Sequence, residues 1–499
     1  MKRIYIKLKP ALFAGLVAAV GFSGCKKFLS VNQNPNNPDH GDPTLLLPTT
    51  QAAISQVIGN QFQVFGNIWS QYWTQSPVAS QYKSMDQYAP LNTDFDRAWN
   101  NLYRVALVNA DLITKSTGTG LENVKGIAYL MKAYSYQVAT DAFGDVPLSQ
   151  ALQPTVFANP VYDKQQAVYD SIFMYINKAM PLLKASSVSP GAQDMIYNGD
   201  MTKWIAFANT LELRAYLRLS NADPATAKAG IAALYQTNPI FLTEDATITY
   251  TSTGGNENPF YNEATSPTLG KIQNVVASST AVDQFKKNND PRLAKFYTLF
   301  IDKVAPTDSL ESIPQGSYLS NVNKKVSPPS PLVGGQANDP ASATAPVKLI
   351  SAAESYFLQA EAVARGWVTT GNVTSLYTQG VQASFTATGA GDATTYLASA
   401  PDGLTALTTA IVQGSIKDEV KAIITQKYYA MCGFQGFEAW NEWRRTGYPT
   451  FFVQSAASTI DPGKMPLRML YPNSELISNL HYPGTVPITT PVWWGISNP

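Results

Sequence analysis

Cysteine and histidine are nearly missing from this 499-residue chain, and their scarcity removes whole classes of chemistry. Only Cys25 and Cys432 are present, and Cys25 sits in a processing signal, so no disulfide is expected. Cys432, between Met431 and Gly433 at a predicted helix end, reads as a small apolar core residue. It lacks the basic neighbours that a reactive thiol needs. His40 and His481 stand in loop-like, proline-rich surroundings, a poor supply for a metal centre or a histidine-based triad. Charge is scarce as well: at 14% charged residues and a net of +1, the chain makes no electrostatic case for nucleic acid. No Gly-x-Ser-x-Gly elbow, His-Glu-x-x-His, Walker loop or Gly-x-Gly-x-x-Gly occurs. Gly389-Ala390-Gly391-Asp392 is an isolated turn, and Asp39 is one carboxylate among amides, too few for calcium. No metal or cofactor is therefore expected. Paired carboxylates for glycoside hydrolysis stay open, because their separation belongs to the fold.

Long apolar runs are absent outside the N-terminus. Lys2, Arg3, Lys7 and Lys9 lead into Ala11–Phe22, an apolar stretch too short to span a bilayer. Phe22-Ser23-Gly24-Cys25 then resembles a bacterial lipobox, with Phe22 where leucine is more usual. The prediction is a signal peptide over 1–24, cleavage before Cys25, and acylation of its thiol and amine. At ~0.8 kcal/mol per buried CH₂, several acyl chains anchor stably where one does not. Residues 25–43 contain Asn32-Gln33-Asn34-Pro35-Asn36-Asn37-Pro38, cannot bury a core, and read as a tether. Residues 44–499 are assigned to one folded domain.

Within it, helical spacing predicts helices in Leu45–Trp73 and at Phe95–Ile113, Val124–Ala142, Lys164–Leu183, Lys203–Leu219 and Lys348–Trp367. Small alanine positions face larger residues, as paired helices require. Between about 240 and 346 the texture turns to Gly, Asn, Pro, Ser and Thr, the mark of a loop-rich region. Aromatics reach 11%, with 26 Tyr and 9 Trp, which is more than a core alone demands, so some rings are expected at a binding surface. Tyr72, Trp73 and Tyr82 lie in an irregular polar stretch broken by Pro77, and Asn256, Phe260 and Tyr261 in the loop Gly254–Asn262. These six are the predicted ligand contacts, offering flat apolar area beside short hydrogen-bonding groups.

The most strongly patterned stretch is Ser415–Pro449. Ser415 and Asp418 form a predicted capping box, and Ile416, Val420, Ile423, Ile424, Tyr428 and Met431 recur at helical spacing. Lys417, Glu419 and Lys421 are left for solvent, and Gly433 ends the helix. A second helix, Phe437–Arg445, stops at Gly447. Phe437, Trp440, Trp443 and Arg444 share one side of it; Glu438, Glu442 and Arg445 share the other. Trp440, Trp443 and Arg444 are expected to be structural, with a buried partner for Arg444. Arg445 is expected to form a solvated ion pair.

Gln426-Lys427-Tyr428-Tyr429 and Glu438–Pro449 resemble the C-terminal signature of the SusD/RagB-like nutrient-binding lipoproteins. Phe143-Gly144-Asp145-Val146-Pro147, Asp290-Pro291-Arg292-Leu293 and Glu354–Trp367 resemble further segments of that family. The resemblance implies a mainly α fold, a tetratricopeptide-like helix-pair scaffold with the loop-rich region packed against it. It implies a lipid-anchored outer-membrane protein facing the cell exterior. Such a protein captures a nutrient, most often an oligosaccharide, and passes it to a SusC-like TonB-dependent transporter without catalysis. The competing classes are a lipid-anchored helical glycoside hydrolase and a non-catalytic protein-interaction scaffold. Substrate contacts vary within the family, so none is carried over.

Overall fold

A computed structural model describes residues 42–184, 187–299, 310–337 and 339–497. Cys25, the signal segment and most of the tether lie outside the described residues. Helix α1 (Pro43–Gln56) begins where the Asp42 carboxylate accepts from the Thr44 N–H, with proline at the first helical position. One π turn, Val57–Gln61, carries it into α2 (Phe62–Trp69), and the chain then leaves helix for the short strand β1 (Trp73–Gln75).

The scaffold is a set of packed helix pairs: α3 (Glu122–Phe143) on α4 (Gln165–Ala179), α5 (Met201–Arg218) on α6 (Pro224–Gln236), and α7 (Ala352–Ala364) on α8 (Val373–Thr388). Helix α9 (Leu404–Val412) packs on α10 (Ile416–Met431), which also packs on α7. This is the tetratricopeptide-like, mainly helical arrangement expected. Helix α7 starts later than its spacing suggests, because Val347–Ile350 is spent as a strand and Ser351 caps the helix through the Glu354 N–H. Among the described residues, no helix is long and apolar enough to cross a membrane.

Helix α11 (Gly436–Thr446) is the inner element. It crosses α2 at van der Waals distance, which only glycines permit: a Cβ on Gly66 would stand 2.1 Å from the Phe437 nitrogen, and one on Gly436 2.4 Å from the Asn67 nitrogen. The aromatic side behaves as expected. Trp440 packs its ring 4.9 Å from Trp69 and donates to the Pro466 carbonyl, and Trp443 is also buried. The Arg444 guanidinium lies 3.6 Å from the centre of the Trp440 ring and donates to the Leu467 and Asp141 carbonyls. The charged side departs from expectation. Arg445 is fully buried, and Glu438 and Glu442 are buried with it. A helix whose polar side meets the polar sides of α5, α7 and α10 has no solvated face, and periodicity cannot distinguish that from exposure. Ile416, placed on the apolar face by spacing, is half exposed at the start of α10.

Three two-stranded antiparallel ribbons tie the loops down. β1 pairs with β5 (Val275–Ala277), β2 (Val146–Pro147) with β3 (Tyr162–Asp163), and β4 (Ala246–Ile248) with β6 (Val347–Ile350). The first ribbon joins the 240–346 region to the N-terminal helices and creates the groove described next.

Candidate functional site

In the β1–β5 ribbon Trp73 faces Ala277 and Gln75 faces Val275. At its end the two chains diverge, after the Ser76 N–H donates to the Asn274 carbonyl (2.8 Å). Pro77–Gln81 and Lys83 form one wall of the opening, Gly270–Ile272 and Asn274 the other, around a groove of about 450 Å³. Its lips are apolar: Val78 is 69% exposed and Ile272 54%. Its polar groups are the Ser80 hydroxyl, the Gln81 amide and the Lys83 and Lys271 ammonium groups. Asn274 is buried in the floor, and its Nδ2 donates to Gln81 Oε1 (3.0 Å) and to the Ile272 carbonyl (3.0 Å). Its Oδ1 accepts from no group among the described residues, so it remains as an acceptor for whatever enters.

None of the aromatic residues that the sequence singled out lines the groove, although Trp73 and Tyr82 adjoin its first wall in the chain. Trp73 and Phe260 stack at 5.0 Å and 17°, and Tyr72 stacks on Tyr428 at 4.4 Å. Tyr72, Trp73 and Phe260 are fully buried, and Tyr82 and Tyr261 nearly so. The two predicted segments do meet, but the rings turn inward and present no faces to solvent. The polar neighbours that suggested a surface are themselves buried and paired: Thr74 Oγ1 and the Gln75 N–H both donate to Asp86, and Gln75 Oε1 accepts from the Tyr82 N–H. Of the six, Asn256 alone is exposed, in the turn Thr251–Asn256, and it does not line the groove. Ser80, Gln81, Lys83, Lys271 and Asn274 have no periodic signal. They are marked only by adjoining the aromatic segments in sequence.

Asp86 holds the floor. It has no cationic partner among the described residues and accepts instead from Thr74, the Gln75 N–H and Gln315 Nε2 (2.5 Å). Burial pushes its carboxyl up to about 6, and those hydrogen bonds oppose the shift.

A family described as starch-binding and associating with the outer membrane matches residues 35–472. The chain belongs to the SusD-like family. No curated protein shows a significant match to it. Among solved structures, a chitin-binding protein is 26% identical with a TM-score of 0.71, over 91% of this chain and 100% of that one. A SusD homologue from Bacteroides uniformis is 25% identical with a TM-score of 0.71, over 91% and 99%. A chitin-binding SusD homologue from Flavobacterium johnsoniae, 24% identical with a TM-score of 0.73 over 91% and 99%, shows the shared fold.

In this SusD-like chain the signature segment is interior, and it carries a buried charge cluster. Arg218 donates to Glu438 (2.5 Å) and Glu442 (2.8 Å), with Asp141 at 3.3 Å. Arg445 grips both oxygens of Glu361 at 2.7 Å and also donates to Glu442. Lys427 sits 3.5 Å from Glu442 and 3.7 Å from Glu354. Burial alone would raise the Glu442 carboxyl, but Arg445, Lys427 and Arg218 hold it well below its ordinary range. Glu438 and Glu361 are lowered against the same burial cost by Arg218 and Arg445 respectively.

Proposed function

We propose that this SusD-like protein captures an oligosaccharide at the Pro77–Lys83/Gly270–Asn274 groove and passes it to a SusC-like TonB-dependent transporter. In the same reading Cys25 carries the lipid that holds it on the outer membrane, facing the exterior. Family membership over 35–472 carries the reading, and the chitin-binding relatives point to a glycan. The groove's chemistry supports it: apolar lips at Pro77, Val78 and Ile272 suit the C–H face of a sugar, while hydroxyl, amide and ammonium groups suit its hydroxyls. No carboxylate is among the described residues lining the groove, which supports capture over hydrolysis by a carboxylate pair. Calorimetric titration with chito-oligosaccharides is expected to show binding without release of new reducing ends. Asn274→Ala or Gln81→Ala should weaken it several-fold. Unchanged affinity in both variants places the site elsewhere, and steady production of reducing ends makes the protein a hydrolase.

A further inference from the structure

A second pocket, of about 330 Å³, opens where α11 ends, and it shares no lining residue with the groove. Trp443 and Phe452 form one wall, their rings stacked at 5.4 Å and 29°. Thr450, Gln454, Lys464, Thr489 and Ser497 supply its polar lining. Trp443 is 4% exposed, so with Phe452 on one face it offers almost no ring surface. Its indole N–H donates to no group among the described residues and is not sealed from solvent. An indole N–H is a donor only, so what it can take from a ligand is an acceptor. Lys464 is exposed and makes no ion pair among the described residues, and no described carboxylate lines the pocket. Gln454 is spent on the wall: its Nε2 donates to the Asp461 (2.7 Å) and Lys464 (3.0 Å) carbonyls, and its Oε1 accepts from the Gly463 N–H. The loop carrying Lys464 is therefore held in place before any ligand arrives.

Donors without acceptors, one free cation and no opposing carboxylate select an oxyanion, and the two threonine hydroxyls beside them suit further hydroxyl groups. We propose that this pocket binds the carboxylate of an acidic sugar unit, a uronate, with Trp443 Nε1 and Lys464 Nζ as its donors. A volume near the low end of small-molecule sites fits one or two sugar rings.

The probe is digalacturonate, titrated into the full chain carrying ¹⁵N-labelled tryptophan, with Trp443→Phe used to assign the Trp443 indole signal. Digalacturonate is expected to shift that signal. Lys464→Gln should weaken its affinity about tenfold, equivalent to ~1.4 kcal/mol, while leaving the thermal midpoint unchanged. Chitobiose should leave the signal in place, and binding of chitobiose at the groove should survive Lys464→Gln, which separates failure here from failure of the glycan-capture reading. An indole signal unmoved by digalacturonate overturns the proposal, as does unchanged affinity in Lys464→Gln. N-acetyl-alanyl-alanine, a peptide carboxylate, is the competing source. If it binds more tightly than digalacturonate, the pocket reads peptide ends and the sugar assignment fails.

Discussion

The interior around α11 and the groove at the end of the β1–β5 ribbon are both rich in polar side chains, and they use them in opposite ways. Around α11, Arg218, Arg445, Glu361, Glu438 and Glu442 turn their charges on one another, out of reach of water. In the groove, the Ser80 hydroxyl, the Lys271 ammonium and the Asn274 Oδ1 have no hydrogen-bond partner among the described residues. The buried charges of the signature segment are spent on the fold, so a strong motif does not by itself mark a ligand contact. The signature residues are constrained because removing one leaves its buried partners short of counter-charge. The groove residues carry no such constraint, so they are free to be chosen by what they bind.

The largest expected loss of stability is at Glu442. Glu442→Ala leaves Arg445, Arg218 and Lys427 short of a buried partner, and is expected to cost about 3–5 kcal/mol, seen as a large fall in thermal midpoint or as loss of soluble protein. The same cluster sets a pH limit. Glu442, Glu438 and Glu361 have folded values below their ordinary one, so their contribution is fully present above about pH 4.3 and is lost as pH falls through the acid range. Denaturant titrations between pH 3 and 6 would measure it.

A smaller effect is expected at Asp86, with the reverse sign. Its folded value is raised to about 6 from an ordinary ~3.9, so its charged form is the one the fold disfavours. The penalty is absent below about pH 4, grows as pH rises toward 6, and is constant above that. Asp86→Ala removes the acceptor shared by Thr74, Gln75 and Gln315, at about 1–3 kcal/mol for a buried donor left unsatisfied. Hydrogen exchange at the Gln75 amide should rise. If it does not, Asp86 is not what holds the groove floor.

The smallest stability change is expected at the groove lip. Val78→Ser and Lys271→Ala should stay within about 0.5 kcal/mol of the parent, since Val78 is mostly exposed and the Lys271 ammonium makes no ion pair among the described residues. Each should nonetheless weaken oligosaccharide binding. A stability loss comparable to that of Glu442→Ala would show the lip to be structural and would erase the contrast.

Much of the architecture was legible in the sequence because helix formation is local. Ser415 caps α10 through the Asp418 N–H, and Gly447 ends α11 with φ of +74°, at the positions their residue types mark. The aromatic side of α11 was readable for the same reason: Trp440, Trp443 and Arg444 recur at its period and are buried. What tertiary structure decided is the environment on the other side. Periodicity separates the charged side of α11 from the apolar side, but whether Arg445 meets water or Glu361 depends on a helix 84 residues away. The inward turn of Tyr72, Trp73 and Phe260 was equally out of reach, because Trp73 is covered by a ring from another segment and its polar neighbours are satisfied by Asp86 and Gln315. A chain's own pattern states which groups want burial or partners. Only the packing of distant segments determines which groups obtain them, and so which, like Asn274 Oδ1, stay without a partner among the described residues.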